Sequence, residues 1–151
     1  TDVVRVLLAA NADVNLCDDI GFSPLYVSAQ EGHTDVVQLL LAAGADVALC
    51  PNRRYSALIQ STIEGRTDVV EVLLAAGADA NVLTDEGLTP LMLAANYDAA
   101  EAVELLLLHG VDLDACHTRS CLPALAQAIL SDSARTTRML LAYGAKPAMF
   151  N

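Results

Sequence analysis

A glycine that follows a leucine-rich run recurs at a nearly constant spacing along this chain of 151 residues. Gly44, Gly77 and Gly110 are equally spaced, and Gly144 follows one position later than that spacing predicts. Asn11 precedes Gly44 by the same interval. Asparagine is the residue that best replaces glycine where a helix ends in a left-handed turn. A period between about 20 and 50 residues is typical of stacked structural units, so the spacing predicts a repeat array.

A second motif recurs with the same period. Residues 21–25 (Gly-Phe-Ser-Pro-Leu) return two periods later at 87–91 (Gly-Leu-Thr-Pro-Leu), with a degraded copy at 54–58. Gly32 and His33 then precede a Val/Leu-rich tract at 34–41. Together these motifs resemble the ankyrin repeat over essentially the whole chain. The resemblance implies an all-α solenoid of stacked helix-turn-helix units with hairpin loops, and a fragment of a longer array.

The local chemistry predicts two short helices in each repeat. A hydroxyl residue at the N-cap begins the first helix of about eight residues, because its oxygen accepts a hydrogen bond from a free amide. These N-cap residues are Ser23, Ser56 and Thr89. Threonine and aspartate at 34–35 and 67–68 predict the start of the second helix, because an acidic side chain there interacts favourably with the positive end of the helix dipole. Helices this short depend on their neighbours for stability.

We predict one domain, 1–151, made of a partial repeat (1–18), full repeats at 19–51, 52–84 and 85–117, and an irregular C-terminal repeat at 118–151. The chain begins at a second-helix motif and ends at a hairpin motif, so a segment of a longer array is expected. The last repeat has one extra residue, placed either between Thr118 and Leu125 or in the turn at 131–134. Asp98 and Ala99 replace the usual Gly-His pair.

Composition indicates a soluble protein that does not bind nucleic acid. Hydrophobic residues make up 54% of the chain, but the longest run without Asp, Glu, Lys or Arg, at 120–131, is shorter than a membrane span. The formal net charge of −11 would repel DNA and RNA. We found no signal peptide or lipidation motif, which together with free thiols indicates the cytoplasm or nucleus.

The sequence contains no catalytic motif, and no cofactor is expected. His33 fills a turn position. His109 precedes a helix-ending glycine, where a cation would interact favourably with the negative end of the helix dipole. No Ser-His-Asp or Cys-His set has positional support. The chain is therefore not expected to be an enzyme.

The cysteines do not indicate disulfides or a metal site. Cys17, Cys50 and Cys116 share one phase of the repeat, but neighbouring units stack about 8–10 Å apart, beyond the roughly 7 Å that a disulfide spans. Cys116, His117 and Cys121 offer only three ligands without Cys-x-x-Cys spacing, where zinc prefers four.

The resemblance implies a protein-binding surface, formed by the hairpin tips and the exposed side of each first helix on a concave face. We call these positions the binding face. They are Ile20, Phe22, Gln30 and Glu31, then Arg53, Tyr55, Ile63 and Glu64, then Glu86, Leu88, Asn96 and Tyr97, then Arg119 and Cys121. Phe22, Tyr55 and Tyr97 are the expected anchors, because aromatic side chains dominate interfaces. The alternative is that tip residues such as Phe22 and Leu88 pack against adjacent hairpins.

Charge predicts the partner's character. Residues 85–117 carry seven acidic side chains and no Lys or Arg. Asp85, Glu86, Asp98, Glu101 and Glu104 would steer a basic segment of a partner protein, or would simply keep an apolar array soluble. A monomer is expected. The alternative function is an architectural spacer or regulatory segment of a larger multidomain protein.

The family resemblance also suggests a modification. Asparagines at the position of Asn15 and Asn81 are targets of asparaginyl hydroxylation in ankyrin repeats, whereas Ala48 and Asp114 break that pattern here. The alternative is that these two asparagines hydrogen-bond across the hairpin.

Overall fold

The computed structural model describes residues 1–49, 55–115 and 122–147. These residues form nine helices and no strand. In chain order the helices are α1 (Asp2–Ala9), α2 (Pro24–Glu31), α3 (Thr34–Ala42), α4 (Ala57–Ile63), α5 (Thr67–Ala75), α6 (Pro90–Asn96), α7 (Ala100–Leu108), α8 (Ala124–Leu130) and α9 (Ala134–Ala142).

The chain divides into two compact units, Thr1–Asp79 and Ala80–Asn151. In the N-terminal unit, the first helices α2 and α4 pack side by side, each also packs against its own second helix, and α3 lies against both α1 and α5. In the C-terminal unit, α6 packs against α8, and α7 and α9 lie beside each other on the second-helix side. Each unit is thus a stack of helix-turn-helix repeats.

Side-chain caps confirm the predicted helix starts. Three hydroxyls accept a hydrogen bond from the backbone N–H three residues later: Ser23 from Tyr26 at 3.1 Å, Ser56 from Ile59 at 3.3 Å and Thr89 from Met92 at 3.2 Å. Helix α8 differs, because its N-cap is Pro123, which has no side-chain acceptor. The sequence motif therefore marks the start of α2, α4 and α6 but not that of α8.

Left-handed residues end the helices, as the spacing predicts. Gly44 has φ 90° after α3, and Asn11, at the same repeat position, has φ 59° after α1. Between the two helices of a repeat, Gly32 has φ 75° at the end of α2. In the C-terminal unit, aspartate takes this conformation between the two helices of a repeat, at Asp98 and Asp132, both with φ 54°. Aspartate tolerates the left-handed region better than most residues, because its short side chain can hydrogen-bond locally.

Small residues at one repeat position allow the first helices to approach each other closely. The residues at this position are Ser28, Ser61, Ala94 and Ala128, and all four are buried. On the second helices, Leu73, Leu106 and Leu140 are fully buried at another repeat position. The core is therefore continuous within each unit, between the first and second helices.

The extra residue of the last repeat lies before α8. Helix α6 begins at Pro90 and α8 at Ala124, while α7 begins at Ala100 and α9 at Ala134. Both intervals are equal, and each exceeds the regular period by one residue. The turn between the paired helices therefore has the same length in both repeats, and the insertion is not in the turn at 131–134. Of the two placements that the sequence allowed, the one in that turn is wrong.

Within the described ranges, no helix is both long enough and apolar enough to span a membrane.

Candidate interaction surface

Two hairpin tips are built in the same way. In the N-terminal unit, the Asp18 carboxylate accepts hydrogen bonds from the backbone N–H of Ile20 at 3.0 Å and of Phe22 at 2.8 Å. In the C-terminal unit, the Thr84 hydroxyl accepts from the N–H of Leu88 at 3.1 Å. These hydrogen bonds close each turn. At the tip of the N-terminal unit, Ile20 is 68% exposed.

Phe22 packs against its own repeat. Its ring stacks on that of Tyr26, with 4.7 Å between ring centroids and 2° between the ring planes. The Tyr26 hydroxyl donates to Gln60 Oε1 at 3.0 Å, and Gln60 Nε2 donates to Glu64 Oε1 at 3.1 Å. A connected row of side chains thus crosses from α2 to α4. The half-buried Phe22 fits the packing alternative raised by the sequence.

The predicted partner-binding residues differ in exposure. In the N-terminal unit, Ile20, Glu31 and Glu64 are exposed, whereas Phe22 and Tyr55 are half-buried. In the C-terminal unit, Glu86, Asn96 and Tyr97 are exposed, whereas Leu88 is half-buried. Arg53, Arg119 and Cys121 lie outside the described residues. Of the three aromatic anchors that we expected, Tyr97 is the most exposed, at 56%.

The C-terminal unit adds an exposed residue that the sequence analysis missed. Leu130 is 64% exposed at the end of α8, where it takes the place that Asn96 has in α6. The Ser131 hydroxyl donates to the Asn96 carbonyl at 2.7 Å, which joins the two helix ends. The insertion shifts the register of this repeat. Aligning α8 one residue later than the regular period would have placed Leu130 on the binding face.

The turns after the first helices contain aspartate in one unit and glycine in the other. In the C-terminal unit, the Asp98 carboxylate accepts hydrogen bonds from the hydroxyls of Ser133 and Thr136. In the N-terminal unit, the equivalent turns contain glycine followed by a histidine or an arginine. There, Arg66 Nε donates to the Gln30 carbonyl at 3.1 Å. The two units therefore offer different charges at the same repeat position.

The predicted acidic residues are divided between a tip and a second helix. Asp85 and Glu86 are exposed beside the hairpin turn that Thr84 closes, whereas Glu101 and Glu104 are exposed on α7. Arg135 Nη1 lies 2.6 Å from Glu101 Oε1. The hydrogen bond from this guanidinium, with its positive charge, lowers the pKa of Glu101 below its ordinary value.

The described residues contain no group of three His, Cys, Asp or Glu side chains arranged to hold a metal ion. Cys17 is a half-buried free thiol whose Sγ donates to the Asn15 carbonyl at 3.5 Å. His109 is the C-cap of α7, with Nδ1 2.8 Å from the Leu105 carbonyl oxygen. Cys50, Cys116, His117 and Cys121 lie outside the described residues.

The two asparagines considered for hydroxylation connect successive hairpins. Asn15 Oδ1 accepts from the backbone N–H of Asp46 at 2.8 Å, and Asn81 Oδ1 accepts from that of Asp112 at 3.3 Å. Asp114 takes the same role in the next repeat, where it accepts from the N–H of Lys146 at 3.1 Å. The structural role expected for these asparagines, a hydrogen bond at the hairpin, is present, and the bond joins one hairpin to the next.

An apolar groove lies beside α1 in the N-terminal unit. It has a volume of about 440 Å³, and its lining includes Leu7, Leu8, Phe22 and Val27. Its polar lining is limited to a few groups such as Asp13 and Ser28. The groove leaves α1 without a buried residue.

The comparison with protein families agrees with this geometry. A family model described as ankyrin repeats (three copies) matches residues 1–84 and 58–151, which together span the chain. The chain belongs to the ankyrin repeat family. Its fold class is the all-α ankyrin solenoid, as the sequence predicted, and ankyrin repeats are in general protein–protein interaction modules. A search of the curated proteins found no match to the chain.

Proposed function

We propose that this chain is a non-enzymatic interaction array that binds a partner protein through its hairpin tips and first helices. The observation that supports it is the exposure of large apolar side chains at those positions in both units, Ile20 at 68% and Tyr97 at 56%. Both side chains are suited to burial against a partner, because isoleucine is β-branched and tyrosine has only two side-chain torsions, so each loses little conformational freedom on binding. The array would act as a monomer in the cytoplasm or nucleus.

A basic segment of the partner is the favoured ligand. The chain has a net charge of −11, and the tip of the C-terminal unit exposes Asp85 and Glu86. Complementary charge raises the association rate more than it raises the affinity, and salt screens it. Binding should therefore slow as ionic strength rises, mainly through the association rate constant.

The alternative function is an architectural spacer with no partner of its own. The half-buried Phe22 and Tyr55 favour it in part, since residues that pack within the array need no partner. A spacer would tolerate polar substitutions at Ile20 and Tyr97. An interaction module would not.

The test is capture of proteins from a cell lysate by the immobilised full chain, followed by mass spectrometry. The variant replaces two exposed residues, Ile20→Ser and Tyr97→Ser, and leaves the packed Phe22 in place. The matched control is Leu108→Ser on α7, which removes a side chain of similar exposure, 67%, from a second helix. Circular dichroism checks that each variant is folded.

We expect a captured protein to bind the purified wild type and the Leu108→Ser control equally. Its affinity for the double variant should fall about tenfold or more, which is the usual effect of losing interface anchors. If the double variant is folded and retains the same proteins at the same affinity, the tips and first helices are not the binding surface. The spacer function would then be favoured.

A further inference from the structure

The most distinctive surface of the C-terminal unit is an apolar patch with acidic residues beside it. We call it the α6/α8 patch, and define it by the exposed apolar residues Tyr97 and Leu130 and by the acidic residues Asp98 and Asp132. Tyr97 and Leu130 stand at the C-terminal ends of α6 and α8 and are exposed. Asp98 and Asp132 follow in the turns and are also exposed.

Packing brings these four residues to one edge of the unit. Helices α6 and α8 lie side by side, and their ends are joined by the hydrogen bond from the Ser131 hydroxyl to the Asn96 carbonyl. Leu130 occupies the repeat position of Asn96, and Asp132 occupies that of Asp98. The patch therefore joins two consecutive repeats of the same unit.

The negative charge at this edge comes from the carboxylates of Asp98 and Asp132, both of which are exposed. The helix ends add no net charge, because the C-termini of α6 and α8 lie next to the N-termini of α7 and α9, whose dipole charge is opposite. Arg135 lies 2.6 Å from Glu101 on the second-helix side, and its positive charge also interacts with Asp98. Asp132 is therefore the carboxylate on which the negative charge of this edge mainly depends.

The N-terminal unit lacks this combination. At the repeat position of Tyr97 it has Glu31 and Glu64, and at that of Asp98 it has Gly32 and Gly65. Arg66 follows the second of these glycines. Of the described first-helix ends, those of α6 and α8 are therefore the ones where exposed apolar side chains directly precede or lie next to aspartates.

We propose that the α6/α8 patch binds a partner segment in which one aromatic or aliphatic side chain is flanked by lysine or arginine. The apolar side chain would lie against Tyr97 and Leu130, and the flanking cations would meet Asp98 and Asp132. An arginine would also stack on the Tyr97 ring. This inference rests on the proposed function and names the class of segment that one part of the binding face recognises.

The test uses the full chain and four short fluorescent peptides on a Gly/Ser background, which differ only in the central residues. These are Arg-Phe-Arg, Ser-Phe-Ser, Arg-Ser-Arg and Glu-Phe-Glu. Fluorescence anisotropy measures the affinities. We expect Arg-Phe-Arg to bind about tenfold more tightly than each of the others, because it alone supplies both parts of the interaction.

Variants then locate the site. Leu130→Ser and Tyr97→Ser should each weaken Arg-Phe-Arg binding about fivefold or more, and Asp132→Asn should weaken it and reduce its salt dependence. Leu108→Ser, an equally exposed leucine on α7, should bind as the wild type does. Backbone amide shifts in NMR spectra should change at 97–98 and 130–132 on addition of the peptide.

The proposal is wrong if no peptide binds, if Arg-Ser-Arg binds as tightly as Arg-Phe-Arg, or if Leu130→Ser and Tyr97→Ser bind as the wild type does. The second of these outcomes would indicate general attraction to an acidic chain. Failure here leaves the proposed function intact if lysate capture is still lost in the Ile20→Ser, Tyr97→Ser variant and survives in Leu130→Ser. If that capture also persists in the double variant, both proposals fail.

Discussion

At the scale of single residues, two aspartates share a backbone conformation but not an environment. Asp98 and Asp132 both have φ 54°, a region that costs an L-residue free energy and that glycine adopts without strain. The Asp98 carboxylate accepts hydrogen bonds from Ser133 and Thr136, across the boundary to the next repeat. Asp98 therefore connects α6's repeat to the N-terminus of α9.

The pair predicts different effects of the same substitution. Asp132→Gly should change the free energy of unfolding by less than about 1 kcal/mol, because relief of strain is offset by the extra freedom of glycine in the unfolded chain. Asp98→Gly should be less stable than Asp132→Gly by about 1–3 kcal/mol, because it also removes charge-assisted hydrogen bonds. Urea denaturation followed by circular dichroism measures both. Equal stability of the two variants would show that the hydrogen bonds of Asp98 contribute nothing.

The ion pair between Glu101 and Arg135 predicts a pH effect of known sign. The hydrogen bond from Arg135 lowers the pKa of Glu101 in the folded state. Its stabilisation is therefore present above the pKa of the unfolded chain, and is lost as pH falls through the lower folded value. An NMR titration of the Glu101 carboxyl carbon should give a higher pKa in Arg135→Gln than in the wild type. An unchanged titration in that variant would rule out the pair as the cause.

Local chemistry explains which residue roles the sequence could predict. A glycine or asparagine after a helix, and a serine before one, act on amides and carbonyls within a few residues, so Asn11 and Ser23 could be assigned from the sequence alone. The partners of Asp98 lie 35 and 38 residues away, at Ser133 and Thr136, and only the packing of α7 beside α9 brings them near. No local pattern encodes such contacts.

At the scale of helices, the caps determine where short helices begin. Helix α4 has seven residues and depends on Ser56, whose hydroxyl accepts from the N–H of Ile59 at 3.3 Å. Ser56→Ala should lower the free energy of unfolding by about 1 kcal/mol, because it leaves a buried amide without its acceptor. His33→Ala is the control, since His33 is the N-cap of α3 but makes no side-chain cap bond. We expect this control to unfold at nearly the wild-type urea concentration, and equal losses in both variants would contradict the argument.

Helix α8 shows where a repeat pattern stops being informative. Its N-cap is Pro123, so the Ser/Thr signal that marks the other first helices is missing, and the inserted residue moves its register. Sequence comparison alone left two places for that residue. The turns before α7 and α9 have equal length, so the inserted residue lies before α8. The exposure of Leu130 was missed for the same reason, because its repeat position depends on where that residue is inserted.

At the scale of the whole molecule, the period predicted the family and the stacking of helices, but not the exposure of the hairpin tips. Ile20 and Phe22 are two residues apart on one tip. The Phe22 ring finds Tyr26 to stack on, whereas Ile20 projects into solvent. Exposure depends on which neighbour lies within reach, and that is decided by packing between side chains. The sequence therefore places Ile20 and Phe22 on the same tip but does not decide which of the two side chains is exposed.

Burial along the chain predicts a gradient of stability. Leu7 of α1 and Leu40 of α3 occupy the same repeat position, yet Leu7 is 52% exposed beside the apolar groove and Leu40 is 4% exposed. Leu40→Ala should destabilise the protein by about 2–5 kcal/mol, the usual effect of truncating a core leucine. Leu7→Ala should lower the free energy of unfolding by less than about 1 kcal/mol, because this leucine is already about half exposed to solvent.

Hydrogen exchange provides an independent measurement of the same gradient. The amides of α1 should exchange well before those of α3, because opening α1 exposes no fully buried side chain, whereas opening α3 exposes Val37 and Leu40. Addition of a compound that fills the groove beside α1 should slow exchange in α1 first, since a ligand that binds only the closed helix stabilises it. Two results together would contradict this gradient: equal protection of α1 and α3, and equal losses in the free energy of unfolding from Leu7→Ala and Leu40→Ala. The N-terminal unit would then unfold as one cooperative block, and its local stability would not follow burial.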